Sequence, residues 1–284
     1  MTANNKPRIA IIGAGWLGKP LALRLLAQHY PLTVSCCGAD KRGSLHESGI
    51  PAVQATLTGN SQDDSQGKSQ SDWQGLLSDK DIAICLLPPN RGNHAETAFV
   101  QQIKQLLNLL EQYQVAKLIF ISSTGIYHKT NQLISETAPL NPHSSVYLAE
   151  QVIAANQAIT STVLRFSGLI SHDRNPTTTL SKKSLNDHIF IAGLSPINLI
   201  HRNDCIGIIE QIIVQACWGE VFNACCDCHP TRQQFYQLNA QQLAIAEPQF
   251  SPDDSQPACI IDNAKLTQRL NYHFQHNTTA DLAV

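Results

Sequence analysis

The 284-residue chain carries 20 basic and 22 acidic side chains, a formal charge of -2, and only 15% charged residues, well under the roughly 25% of an average globular protein. That balance builds no strong field for nucleic acid or an anionic bilayer, and no apolar run approaches the roughly 20 residues a membrane-crossing helix needs. The nine cysteines, odd in number and mostly set in apolar stretches, read as reduced core thiols. The opening Met1 to Lys6 is polar and leads straight into an apolar strand, so the expected location is the cytoplasm.

In chain order, Arg8 to Ile12 reads as a strand. Trp16 to Gln28 reads as a helix, with Leu17, Leu21 and Leu25 on one face. A second strand is expected at Leu32 to Cys37, a short helix at Arg42 to Ser48 and a third strand at Pro51 to Leu57. Thr58 to Asp72 is rich in Ser, Gln, Asp and Gly, buries no apolar face, and is expected to be a surface loop. Asp81 to Leu87 is apolar throughout, as a strand buried on both faces should be. Phe99, Ile103, Leu106, Leu107 and Leu110 keep helical period across His94 to Tyr113. Lys117 to Ile121, a helix at Ser145 to Ala158 and a strand at Thr162 to Phe166 complete the alternation. Beyond it the pattern weakens to Asn198 to Ile200, a helix at Asp204 to Ala216, and Val221 to Ala224.

Strand and helix in alternation predict an α/β fold, a Rossmann doubly wound parallel sheet with a small C-terminal α/β lobe. The dinucleotide-binding domain is expected to span 1–166, with 195–224 returning to its sheet, while 167–194 and 225–284 form the lobe.

Gly13-Ala14-Gly15-Trp16-Leu17-Gly18 is a G-x-G-x-x-G. It follows a strand and opens an amphipathic helix, so its glycines allow a tight turn, close approach to a diphosphate and close helix packing. Backbone amides and the helix dipole then hold the anion without a basic side chain. NAD-binding relatives of this unit place an acid about 20 residues further on. Here the second strand ends Cys36-Cys37-Gly38, followed by Asp40, Lys41 and Arg42. With no carboxylate at the strand tip and two cations beside it, NADP is the expected cofactor, and Asp40 keeps NAD open. Cys225, Cys226, Cys228 and His229 lack a paired C-x-x-C and a second ligand pair, so no metal is expected.

The stretches IIGAGWLGKPLA from Ile11, FISSTGIY from Phe120, LRFSGLI from Leu164, INLIHRNDCIGII from Ile197 and VFNACCDCHPTRQQFY from Val221 together resemble the extended short-chain dehydrogenase/reductase superfamily, its NAD-dependent epimerase/dehydratase group, and most closely an atypical bacterial branch. The resemblance implies an oxidoreductase, epimerase or dehydratase acting on a small, polar, nucleotide-sugar-like substrate. It implies a catalytic hydroxyl at Ser123, followed by Thr124, a tyrosine at Tyr147, and cofactor contacts from Trp16, Leu17, Leu87, Pro88 and Ser122. Arg174 and His201 fall where relatives face substrate, and Asp204 where a helix is capped. Arg165 and Tyr127 are expected to be structural.

One departure matters. The lysine that should follow Tyr147 by four residues is Gln151, and a neutral amide cannot stabilise a phenolate as an ammonium does. The helix can also be aligned on Ala149-Glu150-Gln151, which takes Tyr147 out of the catalytic position. A catalytically degenerate NADP(H)-binding regulator or sensor therefore stays open as an alternative. The expected partner is a small molecule, without nucleic acid or membrane, and a homodimer is left open.

Overall fold

The computed structural model of the chain describes residues 6–57, 72–89, 95–128, 130, 132–186, 190–251 and 259–283. Apart from Asp72, the polar segment expected to be a surface loop lies outside these residues. The chain divides into two compact units. The first comprises Met1–Ser122, Asn141–Leu164 and Ile212–Val221, and the second Ser123–Leu140, Arg165–Gln211 and Phe222–Val284.

The elements of the opening half are β1 (Ile9–Ile12), α1 (Gly18–Ala27), β2 (Leu32–Cys36), α2 (Ala39–Glu47), β3 (Ala52–Gln54), α3 (Trp73–Leu77), β4 (Ile82–Cys85), α4 (Ala95–Gln112) and β5 (Lys117–Ser123). There follow β6 (Leu133–Ile134), α5 (Ser145–Ala155), β7 (Thr160–Phe166), β8 (Gly168–Ile170), α6 (Pro176–Asn186), β9 (Ile191–Ala192), β10 (Leu199–His201) and α7 (Arg202–Val214). The chain closes with β11 (Val221–Ala224), α8 (Arg232–Gln242), β12 (Phe250–Ser251), β13 (Ile260–Ile261), α9 (Ala264–Leu270) and α10 (Thr279–Leu282).

Seven strands form the central sheet in the order β11-β7-β5-β4-β1-β2-β3. Strand β1 lies between β2 and β4, parallel to both, with Ile9 opposite Leu32 on one side and Ile82 on the other. Every residue of β1 and of β4 is buried, the pattern of strands covered by helices on both faces. The chain runs outward from β1 through β2 to β3, then crosses back to β4. Strand order thus reverses between β1 and β4, and in open α/β sheets the crevice above such a reversal is where ligands lie. In the first unit, Phe99, Ile103, Leu106, Leu107 and Leu110 of α4 share one core with Ala149 and Ile153 of α5, following the helical spacing read from the sequence.

Of the two late strands expected to rejoin the sheet, Val221–Ala224 does so as β11. The segment around Asn198 to Ile200 does not: β10 pairs in parallel with β8, Leu199 opposite Gly168 and His201 opposite Ile170. Gly168 permits that approach, since a Cβ there would stand 3.0 Å from Asn198 O. The second unit also pairs β9 with β12 and β6 with β13, and gathers Ile170, Leu199, Cys226, Phe235 and Leu282 into its own core. No helix of the described residues is long and apolar enough to cross a membrane.

Candidate functional site

The turn between β1 and α1 is shaped by its glycines, each for a different reason. Gly13 has φ +110°, a conformation that strains any residue with a side chain. Gly18 begins α1 so close to the turn that a Cβ would lie 2.0 Å from Gly13 O. Gly15 is the opposite case: a Cβ there would meet nothing within 4 Å, so its bare backbone faces open space. Helix α1 begins after Leu17 with no side chain capping it; Lys19 N donates to Gly15 O at 3.1 Å and Pro20 carries no N–H, so the amides left to solvent or a ligand are those ahead of Lys19. The helix itself starts at Gly18, two residues later than the apolar period suggests, because the turn occupies Trp16 and Leu17.

Ser35, within β2, accepts a hydrogen bond from Gly13 N at 3.0 Å on its Oγ, and its carbonyl accepts from Ala14 N at 3.1 Å. The first two amides of the turn are therefore spent on β2. An anion must be met by amides beyond Ala14, at the start of α1, where the helix dipole is positive.

Next to this turn opens a cavity of about 460 Å³. Ile12, Gly13, Ala14 and Gly15 line it at the turn, Ser35, Cys36, Cys37 and Lys41 along the end of β2 and the start of α2, and Ala55, Thr56 and Leu57 beyond β3. Trp73, Leu87, Pro88 and Gln102 complete its wall. The predicted Gly13, Gly15, Lys41, Leu87 and Pro88 are thus brought to one cavity. Trp16, Leu17, Gly18 and Arg42 are not among its lining residues. Trp73 and Gln102 are wall residues that sequence reasoning missed; Gln102 donates to Leu57 O at 2.8 Å, a tie across 45 residues that no periodic signal reveals. Lys41 and Arg42 both lie in the first turn of α2, behind an N-cap, Gly38, that offers no side chain. Cations at a helix N-terminus oppose the dipole; Asp40 shares the turn, and an anion in the cavity would give Lys41 a further partner. Cys36 Sγ is held by Val53 O at 3.4 Å and Gly38 O at 3.6 Å, and burial pushes its thiol above the usual range.

The predicted hydroxyl residues stand at the end of β5. Ser123 Oγ accepts from Gly125 N at 3.0 Å, capping a single turn of 3-10 helix at Thr124–Ile126. That bond uses an acceptor position and leaves the hydroxyl proton able to be donated. Thr124 Oγ1 donates to Phe166 O at 3.5 Å. Ser122 is buried, and its Oγ donates to Glu150 Oε1 at 2.5 Å. Its proton is therefore engaged by a carboxylate. Tyr147 and Gln151 lie on α5, whose buried residues are Ala149, Glu150 and Ile153; Tyr147 is half-buried in the first turn.

In the second unit, Arg174 is exposed at a bridge with Ser171, and Arg202 pairs with Asp173 at 2.8 Å. Arg165 is buried, donating to Tyr127 Oη at 2.6 Å and Glu136 O at 3.0 Å, while Tyr127 donates to Asn223 Oδ1 at 2.7 Å. These polar groups satisfy one another, which fits the structural role expected of both.

Asp204 does not cap a helix as expected. It lies inside α7, fully buried, and its carboxylate accepts from Tyr272 Oη at 2.9 Å, Gln275 N at 2.7 Å, His276 N at 3.2 Å and His276 Nδ1 at 3.1 Å. It fastens residues 272–276 to the start of α7. His201 stacks on His276 with ring centroids 3.7 Å apart, and burial, reinforced by His276, lowers its pKa to about 4. These three side chains offer ligand atoms within 4.8 Å of one another, yet the Asp204 oxygens are already occupied and stacked imidazoles do not converge on one ion. The thiols of the cysteine-rich stretch are engaged within the fold: Cys225 with Leu199 O at 3.5 Å, Cys226 with the Cys225 thiol and with Cys228 O at 3.2 Å, and Cys228 with Thr279 Oγ1 at 3.5 Å.

No family model matches the chain. It is 30% identical over 274 residues to Protein YeeZ of Escherichia coli strain K12, covering 95% of this chain and 96% of that protein. Among solved structures it resembles a UDP-glucuronic acid 4-epimerase from Bacillus cereus in complex with NAD, with a TM-score of 0.78 at 18% identity over 97% of this chain and 94% of that one. A putative NAD-dependent epimerase/dehydratase from Methylobacillus flagellatus matches with a TM-score of 0.70 at 21% identity, over 96% and 94% of the two chains.

Proposed function

This chain belongs to the family of Protein YeeZ and shares its fold with an NAD-bound epimerase, and from that premise we propose that it is an extended short-chain dehydrogenase/reductase: it binds a nicotinamide dinucleotide at the glycine turn and uses it on a small, polar, nucleotide-sugar-like substrate. The open face of Gly15 beside a walled cavity carries the reading. A side chain there would fill the approach to the turn, while the other two glycines are explained by backbone conformation and helix packing alone. Amides between Ala14 and Lys19 would hold the diphosphate, and Leu87 and Pro88, which line the cavity, would give the cofactor an apolar wall. Lys41 is the cation positioned to meet a 2'-phosphate, which favours NADP.

When bound, the cofactor supplies the hydride donor or acceptor. This chain supplies proton control. Ser123, its acceptor side held by Gly125 N, donates a hydrogen bond to the reacting oxygen of the substrate. Tyr147 hands on the proton without the lysine of the family's catalytic set, Gln151 standing there instead, so slow turnover is expected. The relatives solved as nucleotide-sugar epimerases motivate the substrate class. Gln151 at the lysine position favours a second reading, a protein that binds the dinucleotide without turnover and signals through it.

Calorimetric titration with NAD, NADH, NADP and NADPH tests the common premise of both readings, micromolar binding being expected for at least one. A panel of nucleotide sugars then separates them. In the enzyme reading, Ser123→Ala and Tyr147→Phe each slow hydride exchange by about 100-fold and leave dinucleotide affinity within about twofold. Tight binding with no exchange on any substrate leaves the sensor; no binding of any of the four removes both.

A further inference from the structure

Ser35 is 3% exposed, in a strand whose neighbours Val34 and Cys36 are apolar and buried, and it lines the cavity. A hydroxyl in such a place is unfavourable unless its hydrogen-bonding capacity is used. Half of that capacity is visible: Oγ accepts from Gly13 N at 3.0 Å. A serine hydroxyl also carries one proton to donate, and among the described residues no acceptor takes it. Ser35 therefore combines a fixed oxygen with an unspent donor at the cavity wall.

The surroundings identify the acceptor. In this type of fold the diphosphate lies toward the helix and the adenosine ribose toward the tip of the second strand, where an acid ordinarily accepts from the ribose hydroxyl. Here the tip is Cys36 and Cys37, and Cys36 Sγ is engaged by Val53 and Gly38 carbonyls. Neither thiol replaces a carboxylate. Besides Lys41, the polar side chain lining that side of the cavity is Ser35, and its chemistry is reversed: it offers a proton to a ribose oxygen.

We propose that Ser35 binds the adenosine ribose of the dinucleotide, accepting from Gly13 N and donating its hydroxyl proton to a ribose oxygen, so that one side chain both sets the turn and recognises the sugar. This rests on the dinucleotide reading above and adds to it the contact that replaces the missing acid. It also fits the NADP preference proposed above, since a hydroxyl donates to a phosphate oxygen that a carboxylate would repel.

The test compares ADP with 2',3'-dideoxy-ADP by isothermal titration of the wild-type chain, Ser35→Ala and Ser35→Cys. Wild type is expected to bind ADP about 5- to 10-fold more tightly than the dideoxy analogue, the worth of one net hydrogen bond. Ser35→Ala should lose about that factor for ADP and less than about twofold for the analogue, abolishing the preference. Ser35→Cys keeps the volume and guards against a folding defect; its weak donor should leave a preference under about threefold. Equal losses for both ligands would reduce Ser35 to a support for the turn, and an unchanged preference in either variant would remove it from the ribose; each overturns the proposal while sparing the dinucleotide reading. Wild-type protein that binds neither ADP nor any of the four dinucleotides overturns both.

Discussion

Gly15 and Gly18, three residues apart, give opposite responses to substitution, and the pair is worth testing together. A Cβ on Gly18 would sit 2.0 Å from Gly13 O and 3.1 Å from both Gly13 C and Leu86 Cδ1. The first partner is backbone, so Gly18→Ala requires the turn or α1 to move by more than about 1 Å. Overpacking of that kind costs about 1–3 kcal/mol, offset by up to about 1 kcal/mol because alanine favours the helix that begins there. A net loss of about 1–2 kcal/mol lowers the melting temperature by about 2–4 °C in a chain of this size. A Cβ on Gly15 meets nothing within 4 Å and no left-handed φ strains it, so Gly15→Val should keep stability within about 1 kcal/mol of wild type. Its side chain instead occupies the face where the diphosphate must approach, and dinucleotide affinity should fall by about 100-fold or more, a loss of about 2.7 kcal/mol. Differential scanning fluorimetry and calorimetric titration separate the two effects. Wild-type affinity in a folded Gly15→Val would refute the placement of the diphosphate, and an unshifted melting curve for Gly18→Ala would refute the close-approach argument.

Two further outcomes follow from the charges. Lys41→Ala should weaken NADP by about tenfold more than NAD, and by more than Arg42→Ala does, because Lys41 lines the cavity and Arg42 does not; equal losses of both cofactors in titration would remove Lys41 from the 2'-phosphate. His201 is held near pKa 4 in the folded chain against 6.5 when unfolded. As pH falls between those values the unfolded chain takes up a proton the folded one refuses, so this contribution is complete above pH 6.5 and declines toward pH 4. It amounts to up to about 3 kcal/mol. Urea unfolding at pH 7 and pH 4.5 should show a smaller acid loss in His201→Gln than in wild type; parallel losses would refute it.

The opening βαβ unit was legible because its signals are local and redundant. A buried strand, a glycine turn and an amphipathic helix follow one another within about 20 residues, and each supports the same geometry. Helix α4 was legible for a related reason, since its five buried apolar residues repeat the helical period over three turns. Helix α3 was not: its five residues, Trp73–Leu77, are too few for a period, and what starts it is a single contact, the Asp72 carboxylate accepting from Gly75 N at 2.7 Å. Strands β6, β9, β12 and β13 are two residues each; their existence depends on a partner elsewhere in the chain, which alternation of side chains cannot announce over so short a run.

The same distinction divides the site residues. Gly13, Gly15, Lys41, Leu87 and Pro88 sit at the ends of well-marked elements, so a pattern that fixed the elements also fixed them. Asp204 was read as the start of a helix because an acid before an apolar run commonly caps one, yet its four donors come from residues 272–276, about 70 positions on. Ser35 was passed over because a serine within a strand carries no marker of its own; its significance is a bond to Gly13, 22 residues earlier, and a proton with nowhere to go among the described residues. A polar residue whose partners are distant in sequence is invisible to periodicity, and buried polar groups must nonetheless find partners. Where the described residues supply only half of them, as at Ser35, the remaining half is what the proposed ligand would use, and that asymmetry is information only the folded chain contains.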